Sequence, residues 1–132
     1  MKLHHTGFVV KDIDKYAKNH PLGDCVAEII DPFQHAKLAI YKNHSEVLIE
    51  LIQPLNEQAF TWNALGKNGN HFHHFCYTIN SISGADKYAS AFKMLKVLGP
   101  VPGGVFGGWE VVCYDSRNQQ VVEFLIDPNY EL

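Results

Sequence analysis

The chain has 132 residues, of which 46% are hydrophobic and 19% are charged, and this length and composition fit one domain with an apolar core. Its formal net charge is −3 and one arginine accompanies ten lysines, which excludes the clustered basic surface of a protein that binds nucleic acid or anionic membranes. Three widely spaced cysteines, the lack of a hydrophobic leader and the lack of an apolar run of about 18 residues favour a cytoplasmic protein.

The first half of the chain alternates between strand-like and helix-like patterns. It begins with His5 and a short apolar run, followed by polar capping residues and a helical pattern that ends before Pro21. Three further strand-like segments follow, and the last of them places Glu50 among five apolar residues. The predicted strand, helix and three strands lie at residues 5–10, 13–19, 26–30, 36–41 and 47–52.

The second half repeats this order after a turn-rich join at residues 65–70. A strand led by His74 precedes a predicted helix, and a final apolar strand carries Glu123. The strand between them at residues 101–108 is glycine-rich and weakly predicted. The predicted strand, helix and three strands lie at residues 74–79, 85–98, 101–108, 109–114 and 121–126.

The spacing of the histidine and the glutamate is nearly the same in both halves. His5 and Glu50 are 45 residues apart, and His74 and Glu123 are 49 residues apart. Such an internal repeat predicts two copies of one structural unit that pack together rather than two independent domains. We therefore predict an α+β fold with two βαβββ modules, about 1–66 and about 71–132, in a single domain 1–132 with a cupped mixed β-sheet.

The four repeated polar residues, His5, Glu50, His74 and Glu123, form a candidate metal site. A carboxylate within an apolar strand is unfavourable unless it is paired, hydrogen-bonded or bound to a metal. Taken singly, each histidine is as well explained as a strand-end residue and each glutamate as a salt-bridge partner. Two imidazoles and two carboxylates at matched positions instead predict one divalent ion, and cobalt, nickel, manganese, zinc and iron all suit this donor set.

The other histidines and the glycine-rich segment give weaker signals. His71 and His73 alternate on one strand and could form a ligand pair, although no partner pair is evident. Residues 99–108 lack the lysine and serine or threonine of a phosphate-binding loop and are interpreted as a lid or a wide turn. The remaining histidines are interpreted as loop or surface residues: His4, His20, His35 and His44.

The chain resembles the vicinal-oxygen-chelate superfamily, the glyoxalase, bleomycin-resistance and dioxygenase group, over essentially its whole length. The matching segments are residues 5–14, 50–55, 73–77 and 121–125. The resemblance implies paired βαβββ modules in which the positions of His5, Glu50, His74 and Glu123 bind a divalent metal.

Within the superfamily the chain is most similar to methylmalonyl-CoA epimerases, through Pro54-Leu55, the His73-His74 pair and the last strand. This resemblance implies an isomerase whose base is Glu123 and whose small-molecule substrate is a thioester of coenzyme A or of a carrier arm. Epimerases also place a second base on the third strand, but residues 36–41 contain no acid. The candidates to replace it are Lys37, His35 and Glu46.

Two alternative functions follow from the same resemblance. Lactoylglutathione lyase, glyoxalase I, is favoured by Glu50, because epimerases usually have glutamine there, but Val9 and Pro54 depart from its bacterial pattern. A non-catalytic small-molecule binder is the other alternative, although such members usually lack the metal ligands. Homodimers are common in this fold, so we also expect a homodimer.

Overall fold

The structure, a computed structural model, describes residues 1–128. Unit one comprises residues 1–5 and the described chain from His74 onward, and unit two comprises Thr6–His73. The strands are β1 Lys2–Val9, β2 Asp24–Asp31, β3 Ala36–Lys42, β4 Leu48–Pro54, β5 His71–Ile79, β6 Leu95–Pro102, β7 Trp109–Asp115 and β8 Gln120–Ile126. The α-helices are α1 Ile13–Lys18, α2 Trp62–Asn68 and α3 Ile82–Ala91, and a short 3₁₀ helix covers Gly104–Phe106.

This order of elements confirms the predicted α+β class. A strand, a helix and three strands occur twice, with α2 between the two copies. The pairing of the strands is mixed, because β5 and β8 are parallel whereas the other described pairs are antiparallel. The boundaries of the single domain and its modules stay predictions. None of the helices within residues 1–128 is long and apolar enough to cross a membrane.

Unit two is built on the antiparallel strands β2, β3 and β4. Asp12 caps α1 by accepting a hydrogen bond from the backbone N–H of Lys15 at 3.0 Å. One face of the strands packs against α1 through a buried cluster that includes Ile13, Ala39 and Leu51. Because side chains alternate along a strand, Glu50 lies on the opposite face.

Unit one contains β5, β8, β7 and β6 in that order. Helix α3 packs its small residues Ala85 and Ala89 against Val111, Cys113 and Phe124 of the sheet. Phe124 alternates with Glu123, so the glutamate lies on the face of β8 that does not contact α3. The alternation therefore places Val122, Phe124 and Ile126 under the helix and leaves Glu123 on the other face.

The predicted helix at residues 85–98 is wrong at both ends. The helix begins at Ile82, because Ser81 caps it by accepting a hydrogen bond from the N–H of Gly84 at 3.0 Å. It ends at Ala91, and Lys93 has a positive φ of 56°, which a helix cannot accommodate. Leu95 and Leu98 belong to β6 and pair with β7, so their helical spacing was accidental.

The join at residues 65–70 was predicted as a turn, but most of it is the end of α2. This helix buries none of its residues, so the sequence carries no apolar periodicity that would reveal it. It ends at Gly69, whose φ of 67° stops the helix in a conformation that glycine adopts readily.

Candidate metal centre

Two histidines from different strands of unit one lie against each other. His5 is on β1 and His74 is on β5, and each has only 1% of its surface exposed. Their Nε2 atoms are 3.0 Å apart and their ring planes cross at 84°. The structure therefore brings together two of the predicted ligands, one from each half of the sequence.

Glu123 reaches the same pair of histidines from β8. The parallel register between β5 and β8 aligns Cys76 with Glu123, so the carboxylate lies beside the strand that carries His74. Nδ1 of His74 lies 3.1 Å from Oε2 of Glu123. Because an ionised carboxylate can only accept, Nδ1 is the donor, and in the neutral ring Nε2 then presents its lone pair toward His5.

Burial keeps His5 neutral. The pKa of His5 lies well below its ordinary value of 6.5, first because of burial and second because of the neighbouring charge of His4. A neutral imidazole is the form that binds a metal ion. The lowered pKa of His5 thus agrees with a neutral metal ligand and not with a protonated histidine in an ion pair.

The distance between the two imidazoles fits a shared divalent ion. Two ligands held about 2.1 Å from an ion at a right angle are separated by about 3.0 Å, which is the separation of Nε2 of His5 and Nε2 of His74. Glu123 contacts His74 at Nδ1, the ring nitrogen that does not face His5, as do the carboxylates that orient metal-binding imidazoles. The donors of unit one therefore fit a metal of the predicted kind, although their role as ligands stays a prediction.

Two aromatic residues that the sequence analysis did not connect with the site cover His5. The ring of Phe106 stacks on His5 with centroids 4.4 Å apart and an interplanar angle of 18°. His4, predicted as a loop or surface residue, instead lies on β1, half-buried, with its Nδ1 2.8 Å from Nδ1 of His5. The apolar Phe106 within a glycine-rich run was the signal that could have identified this cover.

The glycine-rich segment, interpreted from the sequence as a lid or a wide turn, contains the end of β6 and a 3₁₀ helix. Residues 95–102 form β6, and the 3₁₀ helix that follows carries Phe106. A Cβ atom on Gly103 would lie 2.0 Å from the carbonyl oxygen of Gly107, so glycine is required for this tight fold. The glycines therefore position Phe106 beside His5.

Glu50 lies in unit two, where β4 holds it with 5% of its surface exposed. Its partner across the β3–β4 pair is Ile40, and Leu38 shares that face. The position agrees with the expected carboxylate in an apolar strand. Its assignment as the fourth ligand stays a prediction.

The three candidates for a second base lie in different environments. Lys37 points to the face opposite Glu50 and forms a salt bridge of 2.9 Å with Glu28. This hydrogen bond raises the pKa of Lys37, so it stays protonated and is a poor base. His35 ends the turn before β3 with a φ of 50°, and Glu46 is exposed before β4. Lys37 is therefore the weakest of the three candidates.

The possible ligand pair of His71 and His73 lies on the part of β5 that belongs to unit two. Nδ1 of His71 donates to the carbonyl of Gly69 at 2.8 Å, and the two rings are 6.5 Å apart. Burial, followed by the charge of His71, lowers the pKa of His73 to about 4. His73 is thus a neutral, half-buried residue, and a metal-binding role for the pair stays a prediction.

Comparison with solved structures shows the same fold in several proteins. Methylmalonyl-CoA epimerase from Mycobacterium tuberculosis has a TM-score of 0.81 at 18% identity, with 95% of this chain and 87% of the other covered. Hypothetical protein BH1468 from Bacillus halodurans has a TM-score of 0.84 at 23% identity, with 99% and 97% covered. A variant of Streptomyces coelicolor methylmalonyl-CoA epimerase in complex with 2-nitronate-propionyl-CoA has a TM-score of 0.81 at 15% identity, with 96% of each chain covered.

Comparison of the sequence with protein families gives one assignment. No curated protein matches the chain. The family described as the glyoxalase/bleomycin resistance protein/dioxygenase superfamily matches residues 4–113, which include His5, Glu50 and His74 and end before Glu123. Since this match covers most of the sequence and the fold agrees, the chain belongs to the glyoxalase/bleomycin resistance protein/dioxygenase superfamily.

Proposed function

We propose that this protein is a metal-dependent isomerase that removes a proton next to the carbonyl of an acyl thioester, as in the epimerisation of methylmalonyl-CoA. The observation that carries the proposal is the buried cluster of unit one, in which two imidazole nitrogens lie 3.0 Å apart beside a carboxylate. The similarity of the fold to methylmalonyl-CoA epimerases supports this substrate class.

In this proposal His5, His74 and Glu123 hold the ion, and Glu50 is the fourth ligand that the sequence repeat predicts. The ion would act as a Lewis acid that stabilises the negative charge developing on the substrate carbonyl. Phe106 and the surrounding strands exclude water from His5, which strengthens electrostatic interactions in the site.

Glu123 is the proposed catalytic base. Its carboxylate takes the proton from one face of the α-carbon, and a second group, for which His35 and Glu46 are the remaining candidates, would deliver a proton to the other face. The hydrogen bond from His74 holds the carboxylate at the side of the two imidazoles.

A second candidate function is a glyoxalase-type isomerisation, in which one base moves a proton between neighbouring carbon atoms of a thiohemiacetal. Two features favour it: Glu50 at the ligand position where epimerases usually have glutamine, and the apolar Leu38 and Ile40 on the face of β3 where a second acid would lie. One base is sufficient for this reaction, whereas epimerisation delivers the proton to the opposite face of the carbon.

Isotope exchange separates these functions. The metal-loaded protein is incubated in deuterated water with one epimer of methylmalonyl-CoA, and separately with glutathione and methylglyoxal. Deuterium entering the α-carbon of the thioester faster than in a protein-free control supports the epimerase. Formation of lactoylglutathione supports the second candidate instead.

A separate control tests whether the reaction requires a metal ion. The same reactions are run after chelation and after adding back cobalt, nickel, manganese, zinc or iron. Recovery of exchange with a stoichiometric ion is expected. If neither substrate reacts with any of these ions, the proposal is wrong, and a non-catalytic binder becomes the better description.

A further inference from the structure

Cys76 is a buried thiol on the same face of β5 as His74. The two residues are two positions apart, and strand alternation points both side chains to one side of the strand. Cys76 has 0% of its surface exposed and is aligned with Glu123 in the parallel β5–β8 register. The thiol therefore lies among the residues of the proposed metal site, not under helix α3.

Two other side chains of unit one that could bind a metal lie close to this thiol. One potential ligand atom from each of His5, Cys76 and Glu123 falls within 4.8 Å of the other two. Two ligands that share one ion at a tetrahedral angle are separated by about 3.6 Å when one is sulfur and the other nitrogen. The three side chains are therefore near enough to converge on one ion by rotating about their side-chain bonds.

The other buried cysteine of unit one provides an internal contrast. Cys113 also has 0% of its surface exposed, but it packs under α3 with Ala85, Val111 and Phe124. Burial is the main reason that the pKa of its thiol is raised. Within residues 1–128 no cluster of potential metal ligands includes Cys113. The two cysteines are therefore equally buried, but only Cys76 lies in a cluster of potential metal ligands.

We propose that Cys76 is a sulfur ligand of the metal in unit one, together with His5 and Glu123. This inference rests on the metal site of the proposed function and extends it. On binding, the S–H bond breaks, a sulfur–metal bond forms and the proton goes to solvent, with no change of oxidation state. Because thiolates prefer softer ions, the site selects zinc, cobalt, nickel or iron over manganese and magnesium.

Cobalt substitution tests this inference without reference to activity. The full chain is stripped of metal and titrated with Co²⁺ while the visible and near-ultraviolet spectra are recorded. A thiolate-to-cobalt charge-transfer band is expected in the near ultraviolet beside the visible cobalt bands. Cys76→Ser is expected to lose the charge-transfer band and keep the visible bands, whereas the matched control Cys113→Ser keeps both.

The outcomes separate this inference from the proposed function. Visible cobalt bands without a charge-transfer band in the wild-type protein overturn the sulfur ligand and leave the metal site in place. No cobalt absorption at all overturns both. If Cys76→Ser does not fold, a Cys25→Ser/Cys113→Ser double variant retains Cys76 alone, and loss of the charge-transfer band in that variant overturns the assignment.

Discussion

The last strands of the two halves, β4 and β8, each hold one buried glutamate in an apolar segment, but the surroundings of the two acids differ. Across the β3–β4 pair, Glu50 faces Ile40. Glu123 is instead aligned with Cys76 and accepts a hydrogen bond from His74. The repeat thus places an acid in the same position of each half, whereas the residue aligned with each acid on the paired strand differs.

This difference has a structural origin in the strand pairing. Strand β8 is parallel to β5, which begins with a run of histidines and contributes His74 and Cys76 to the same face. Strand β3, the antiparallel neighbour of β4, contributes apolar side chains to the face of Glu50. The two similar segments therefore meet an apolar residue across the β3–β4 pair and a thiol across the β5–β8 pair.

The strongest test of this comparison replaces the two acids one at a time. Glu123→Gln removes the proposed base and is expected to lower proton exchange by about 10²- to 10⁴-fold. Glu50→Gln introduces the residue that epimerases usually have and is expected to retain exchange with the thioester. The measurement is deuterium incorporation at equal metal occupancy, with circular dichroism to establish folding. Equal loss in both variants would contradict the different roles of the two acids.

A second test removes the aromatic cover of His5. Phe106 has 4% of its surface exposed, and Phe106→Ala is expected to lower the free energy of unfolding by about 3 kcal/mol. The matched control is Phe92→Ala, because Phe92 is 54% exposed and has less packing to lose. Denaturant unfolding measures both variants. An equal loss in the two would show that Phe106 does not pack against His5 as described.

The smallest expected effect concerns Lys37 and the face opposite Glu50. Lys37→Gln removes the salt bridge with Glu28 and is expected to change the free energy of unfolding by less than about 1 kcal/mol, because the pair is partly exposed. Proton exchange should remain unchanged. A large loss of exchange at full metal occupancy would instead identify Lys37 as the second base.

The same variant has a defined pH dependence. The salt bridge raises the pKa of Lys37, so its stabilisation is fully present below the ordinary value of 10.5 and is lost as the pH rises through the raised pKa. Above neutral pH, the difference in stability between the wild-type protein and Lys37→Gln should therefore shrink only under strongly alkaline conditions. A difference that disappears near neutral pH would mean that another group stabilises this face.

Most of the fold could be predicted because the repeat and the strand alternation are local properties of the sequence. The elements around His5, Glu50, His74 and Glu123 all form strands as expected. The predicted elements were wrong where the hydrophobic periodicity of the sequence is misleading or absent. The leucines of β6 have helical spacing, and α2 has no buried face.

Candidate ligands were also visible in the sequence, whereas their partners were not. The apolar neighbours of Glu123 showed that a carboxylate lies in a buried strand, which requires compensation by pairing or metal binding. Which group compensates it depends on the β5–β8 register, and no local pattern specifies a parallel pairing between distant strands. The position of Cys76 beside Glu123 was missed for this reason.

The sequence by itself determined the α+β class, the repeated order of elements and the positions of the four candidate ligands, because hydrophobic alternation and repeat spacing are written along the chain. Only the tertiary structure decided that two imidazoles meet at 3.0 Å, that Glu123 bonds to His74 and that a thiol lies beside them. The physical reason is that these contacts depend on register and burial between strands distant in sequence, where a shift of one residue would turn each side chain to the other face.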